Sequence, residues 1–255
     1  MNLNLDLTIA EKYTSNAQKA RVLTENWIDE NMFCPRCGNR YLKHFENNKP
    51  VADFYCPACN CEYEIKSKKD SFGKKVADGA YETMIKRITS STNPDFMLLN
   101  YTDTGFVNNL IIVPKNFFVP TIIEKRKPLS DTAKRAGWIG CNILLTQIPQ
   151  QGKLAVITNG VLSSLNDIVT QTNKAISLET KNINARGWLM DVLLCVNTLQ
   201  NKVFTLKDFY TLFEEKLSKK HPDNNNVQAK IRQQLQFLRD KEFIQFLGRG
   251  EYKIV

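Results

Sequence analysis

No run of about 18 consecutive apolar residues occurs in this chain, so no membrane-spanning helix is expected. The first residues, MNLNLDLTIAEKY, lack the basic stretch and apolar run of a secretory leader, and a soluble intracellular protein is the expectation. No internal repeat and no low-complexity tract is visible, so neither a solenoid nor a biased disordered chain is expected. Acidic residues are in deficit. Against 35 Lys and Arg stand 26 Asp and Glu, for a net charge of +9. Such an excess favours polyanionic partners, because each neutralised phosphate releases counterions. What remains is ordinary: 42% hydrophobic and 24% charged residues over 255 positions, enough for one large domain or two.

Helix and strand signals are mixed through the first two thirds. Residues 15–31 read as a helix capped by Ser15, with Ala20, Leu23 and Trp27 on one apolar face. Val51–Tyr55 and Tyr63–Ser67 read as strands, and 79–88 as a helix with Tyr81, Met84, Ile85 and Ile88 at helical spacing. Short apolar runs at 95–102, 108–117 and 154–160 read as buried strands. Residues 166–186 turn polar with weak periodicity, which places a domain boundary near 183. Beyond it, helices are expected over 187–199, over 204–217 behind a Thr205 cap, and over 227–244. A closing hairpin follows, with Gly248 and Gly250 around Arg249.

Five of the seven cysteines fall between Cys34 and Cys61. In an intracellular chain such clustering points to metal rather than to disulfides. Cys34-Pro-Arg-Cys37 and Cys56-Pro-Ala-Cys59 are matched C-x2-C pairs with eighteen residues between them. Two intervening residues let both sulfurs of one turn reach a tetrahedral ion, so a four-thiolate structural zinc is expected. Cys61 is a spare that could replace Cys59, though the matched pairs argue against it. Cys141 and Cys195, alone in apolar surroundings, read as buried thiols.

Side chains alternate across a strand, so in "CEYEIKS" Glu64 and Lys66 share the face opposite Tyr63 and Ile65. Asp53 lies upstream in "VADFY". If the two strands pair as a hairpin, Asp53 sits across from Glu64 and the cysteine turn closes the tip. Two carboxylates suit Mg²⁺, a hard ion that prefers oxygen, and an adjacent lysine suits the attacking water of phosphodiester hydrolysis. Through Asp53, Glu64 and Lys66 the sequence resembles the PD-(D/E)xK nucleases. The proline that usually precedes the Asp is missing, the nearest being Pro50. A salt-bridged strand face with a solvated "KSKK" run is the plain alternative.

Three helices and a glycine-tipped hairpin suggest a winged helix, in which the third helix enters the major groove. Lys230, Arg232, Gln233 and Gln234 are then candidates for base or phosphate contact, and Arg249 at the wing tip for phosphate.

The stretches SNAQKARVLTENW, HFENNKPVADFYC, RKPLSDTAKRAGWIGCNI and KIRQQLQFLRDKEFIQFLGRGEYK together resemble the DpnI restriction endonucleases, over nearly the whole chain and least over 150–183. That resemblance implies an α/β PD-(D/E)xK core with an inserted zinc lobe over residues 1–183, and a winged helix over 184–255. It implies a methyl-directed type II enzyme that cuts double-stranded DNA at GATC when the adenine is N6-methylated. It also implies Mg²⁺ as cofactor, a monomer, and a bacterial cytoplasm without that methylation. Asp53, Glu64 and Lys66 would be catalytic, with Asp53 and Glu64 on Mg²⁺, and Cys34, Cys37, Cys56 and Cys59 on zinc. Trp138, set among basic residues and glycines in "KRAGWIGC", is the candidate reader of the methyl group. A non-catalytic DNA-binding regulator and a repair or junction nuclease are the rival readings.

Overall fold

Apolar runs too short for helices build the centre of the main sheet. The computed structural model describes residues 1–46, 52–90, 92–180 and 182–255. The N-terminal body contains α1 (Asn16–Asn31), β1 (Lys43–His44), β2 (Phe54–Tyr55), β3 (Glu62–Lys69), β4 (Lys75–Ala80), α2 (Tyr81–Ile88), β5 (Asp95–Tyr101) and β6 (Val107–Val113). It continues with β7 (Ile123–Lys125), β8 (Gly140–Leu144), β9 (Leu154–Thr158), β10 (Val161–Leu162) and α3 (Leu165–Ile176). Seven strands form one sheet in the order β1-β2-β3-β5-β6-β9-β10, and β4, β8 and β7 form a second. β3 and β5 are parallel, and β4 with α2 makes the crossover between them. β5 carries Phe96, Met97, Leu98 and Leu99 in unbroken succession, all buried, as a strand covered on both faces requires.

Helix α1 lays Leu23, Trp27 and Ile28 on the core, and Thr24 Oγ1 meets Ser67 Oγ of β3 at 3.2 Å. Ser15 holds the N-cap position, but its side chain makes no capping bond. Several bounds differ from the sequence reading. Gly79 and Ala80 finish β4, so the helix starts only at Tyr81. Residues 165–176 are helical despite their polar composition. Ser164 caps them through the Asp167 N–H, and Ile168, Thr172 and Ala175 supply a narrow buried stripe.

The second region contains α4 (Ile183–Thr198), β11 (Val203–Thr205), α5 (Leu206–Lys220), α6 (Val227–Asp240), β12 (Ile244–Gly248) and β13 (Glu251–Ile254). It is a winged helix: three helices and a sheet in the order β11-β13-β12. Thr205 and Asp208 form a reciprocal capping box on α5, as the threonine suggested. The wing turn needs positive φ at Gly248 (107°), Arg249 (50°) and Gly250 (80°), which explains the two glycines. Helix α6 ends at Asp240, and Ile244 already belongs to the wing.

Arg186 of α4 ties the two regions together. Its Nη1 donates to the carbonyls of Ile88 (3.2 Å) and Phe118 (3.3 Å), and its Nη2 to Thr180 O (3.3 Å). Among the described residues no helix is long and apolar enough to cross a membrane.

Candidate active site

β3 turns charged side chains to one face and the core to the other. Tyr63 is fully buried, while Glu64 and Lys66 project to the opposite side with 15% and 19% of their side chains exposed. The Lys66 ammonium lies 2.6 Å from Glu64 Oε1. It also lies 2.5 Å from Asp78 Oδ1, which comes from β4 in the other sheet. Arg87 of α2 places Nη1 2.7 Å from Glu64 Oε2. Four charges of alternating sign thus form a chain: Arg87, Glu64, Lys66, Asp78.

Burial pushes the Glu64 carboxyl above the ordinary carboxylate range; Asp78 adds to this, and Lys66 and Arg87 offset it only in part. Burial alone would lower the Lys66 ammonium. Glu64 and Asp78 overcome that and hold it above the usual lysine range, so its charge is fixed.

Asp53 is placed differently from the hairpin expectation. β2 is only Phe54–Tyr55, and Asp53 precedes it in a bend; Val51 and Pro50 lie outside the described residues. The register is nevertheless antiparallel, Phe54 opposite Tyr63 and Tyr55 opposite Glu62. Asp53 N–H donates to Tyr63 O at 2.9 Å, and Asp53 Oδ2 accepts from Ile65 N–H at 2.7 Å. The side-chain carboxylate, rather than a strand carbonyl, thus takes the Ile65 N–H. Asp53 is fastened to both chain neighbours of Glu64.

The cysteine turns pack beside this strand pair. Cys34, Cys37, Cys56 and Cys59 bring their sulfurs within 4.8 Å of one another. The Cys34–Cys59 and Cys37–Cys56 distances are both 3.6 Å. A tetrahedral zinc with bonds of about 2.3 Å has sulfur–sulfur edges of about 3.8 Å, so the cluster could hold Zn²⁺. Burial raises Cys34 and takes Cys59 up to about 11. At Cys56 burial also opposes ionisation, but the N–H groups of Cys59 and Ala58 outweigh it and lower the thiol. Cys61 stands apart, its thiol donating to the buried Asp95 Oδ2 at 3.2 Å. Cys141 and Cys195 are buried, as expected.

Of the DNA-facing candidates, Arg232, Gln233 and Arg249 are exposed. Lys230 is half-buried and donates to Gln233 Oε1 at 2.7 Å. Gln234 is corrected: it is only 6% exposed and turned inward, beside Ile231 and Leu235. Two residues further on the helix turns outward, so Gln236 is presented instead. Trp138 sits half-buried in an exposed loop between β7 and β8. The Arg135 guanidinium lies 4.7 Å from its ring centroid. Its indole presses on Gly140, where a Cβ would come within 2.8 Å of the ring.

The model of the DpnI, Dam-replacing family matches residues 1–181, and that of the Dam-replacing HTH domain matches residues 184–254. The chain belongs to the DpnI family. That family implies a methyl-dependent restriction endonuclease, and its HTH domain implies DNA binding.

Asp78 and Arg87 were invisible to the sequence reading. Asp78 lies twelve residues beyond Lys66 on a different sheet, which no periodicity reveals. Arg87 adjoins the apolar stripe of α2 and reads as an ordinary surface charge.

Proposed function

We propose that this protein hydrolyses a phosphodiester of double-stranded DNA at GATC sites carrying N6-methyladenine. Asp53, Glu64 and Lys66 are the catalytic residues, residues 1–183 the catalytic domain and 184–255 the DNA-binding domain. The observation that carries the reading is the buried Glu64–Lys66 pair at 2.6 Å, with Asp53 bound to the backbone on either side of Glu64, in a chain of the DpnI family.

The donor set suits Mg²⁺. Two carboxylates offer hard oxygens, and this ion keeps several waters, so it needs no larger protein cage. Held by Asp53 and Glu64, Mg²⁺ would neutralise phosphate charge and acidify a bound water. Through that ion, Asp53 and Glu64 would set where the scissile phosphate stops. Lys66 Nζ, which keeps its proton, donates toward the attacking water or a phosphate oxygen and orients it. The zinc reading is structural, because four thiolates fill a tetrahedron and leave no open position.

Selectivity needs several readers. Burying one methyl contributes only about 0.8 kcal/mol. On this reading Trp138 offers an apolar face to the methyl group, Arg232, Gln233 and Lys230 approach base edges or phosphates, and Arg249 lies along the backbone.

The test is digestion in Mg²⁺ of one plasmid prepared from an adenine-methylating and a non-methylating host. Cleavage confined to the methylated preparation, at GATC, is expected. Equal cutting of both would favour a repair nuclease, and cutting of neither a DNA-binding regulator.

A further inference from the structure

We propose that Asp78 is a positioning residue of the candidate active site: its carboxylate, delivered from a second sheet, anchors the Lys66 ammonium. The inference deepens the nuclease reading and rests on it for the role given to Lys66.

Three observations carry it. Asp78 sits at an irregularity of β4, where the pairing with β8 shifts between Asp78 and Ala80. Asp78 itself still pairs with Cys141, so regular alternation puts it on the face of the buried Val76, and Gly79 is the unpaired residue of the shift. The side chain is only 8% exposed, and its Oδ1 accepts from both Lys66 Nζ at 2.5 Å and Gly79 N–H at 2.6 Å. The Gly79 bond fixes the carboxylate, and the carboxylate fixes the lysine.

Geometry explains why a second anchor matters. Glu64 is the other partner of Lys66, and both of its oxygens are already shared, one with Lys66 and one with Arg87. Any cation drawn to Glu64 competes with Lys66 for it. An ammonium held by Glu64 alone would lose its place when that happens. Asp78 is not one of the two acids assigned to that cation, so its 2.5 Å hold on Lys66 does not depend on Glu64. It therefore keeps the Nζ where the water must be oriented, and it leaves the buried ammonium with a counter-charge.

The same bulge leads directly into α2. Ala80 is the N-cap residue of that helix, which carries Arg87 to Glu64. The residues on both flanks of the Glu64–Lys66 pair, Asp78 and Arg87, thus come from one β4–α2 stretch.

The experiment uses the full-length chain as wild type, Asp78→Asn, which keeps the shape, and Asp78→Glu, which keeps the charge. Steady-state cleavage of a methylated duplex is measured with Ca²⁺-supported duplex binding. The labelling of Lys66 by an amine-acylating reagent is followed by peptide mass spectrometry. For Asp78→Asn, kcat should fall about 10²-fold, the cost of a misplaced catalytic group. KM should stay within about twofold, as for an interaction absent from substrate binding. Lys66 labelling should rise several-fold, and Asp78→Glu should recover part of both effects. Unchanged Lys66 labelling in a folded Asp78→Asn protein overturns the proposal. So does a wild-type kcat, or a loss of activity that follows a loss of duplex binding. If the wild type cuts no methylated DNA, the nuclease reading fails, while the labelling still decides whether Asp78 holds Lys66.

Discussion

The cysteine cluster and the carboxylate–lysine cluster grow from one stretch of chain and are finished in opposite ways. Cys56 and Cys59 turn the chain between β2 and β3, and Glu64 and Lys66 follow within a few residues. The first cluster gathers four identical soft donors within 4.8 Å, a set that closes around a single ion. The second gathers opposite charges, each carboxylate of the chain already paired with a cation. A set of thiols that closes on a metal is an end in itself and contributes to folding. A set of charges held in mutual contact can exchange partners, so a phosphate or a divalent ion can enter it.

The largest effect expected from this contrast lies on the charged side. Glu64→Gln, Asp53→Asn or Lys66→Ala should each lower cleavage of a methylated plasmid by about 10³-fold, within the span of positioned acid, base and metal groups. Gel shift in Ca²⁺ should still show the methylated duplex bound. Retained cutting would remove that residue from the active site and dissolve the contrast.

Next comes the thiol side, where the damage should be to stability. Cys56→Ser should abolish stoichiometric zinc and lower the Tm by about 10 °C, taking several kcal/mol at about 2–4 °C each. Metal analysis and a thermal melt check this. Loss of zinc without any shift in Tm would show that the cluster is not structural.

A smaller effect is expected at the DNA-facing surface. Arg249→Ala should weaken methylated and unmethylated duplexes alike and reduce the salt slope of binding by about 1, as for one lost phosphate contact. Arg232→Ala, if the side chain reads a base edge, should instead weaken the specific duplex more than the non-specific one. Binding titrations at several salt concentrations separate the two. The smallest effect concerns the lone thiols. Burial raises Cys141 and Cys195 to about 11, so neither should react with iodoacetamide at neutral pH in the folded protein. Labelling of either at the rate of an open thiol would mean that its surroundings open.

How much of this was legible depends on whether the signal was local. The C-x2-C spacing, the alternation that puts Glu64 beside Lys66, the Thr205 cap and the glycines of the wing are all short-range, and each appears in the structure. Gln234 is not on the outer face, because its position in the 3.6-residue period turns it inward with Ile231 and Leu235. The polar helix at 165–176 escaped because three inward residues and a serine cap suffice when a sheet supplies the packing surface. Asp53 kept its neighbourhood but not its strand, since its own carboxylate binds the backbone there. Asp78, Arg87 and Arg186 act across sheets or between the two regions, and only the assembled chain brings them to their partners.

The most direct measurement is a Mn²⁺ titration followed by electron paramagnetic resonance, with Mn²⁺ standing in for Mg²⁺ on the zinc-loaded protein. The wild type should retain an oxygen-ligated ion, while Asp53→Asn and Glu64→Gln should lose it. Equal Mn²⁺ binding by wild type and both carboxylate variants would contradict the assignment of Asp53 and Glu64 as the acids that hold the ion.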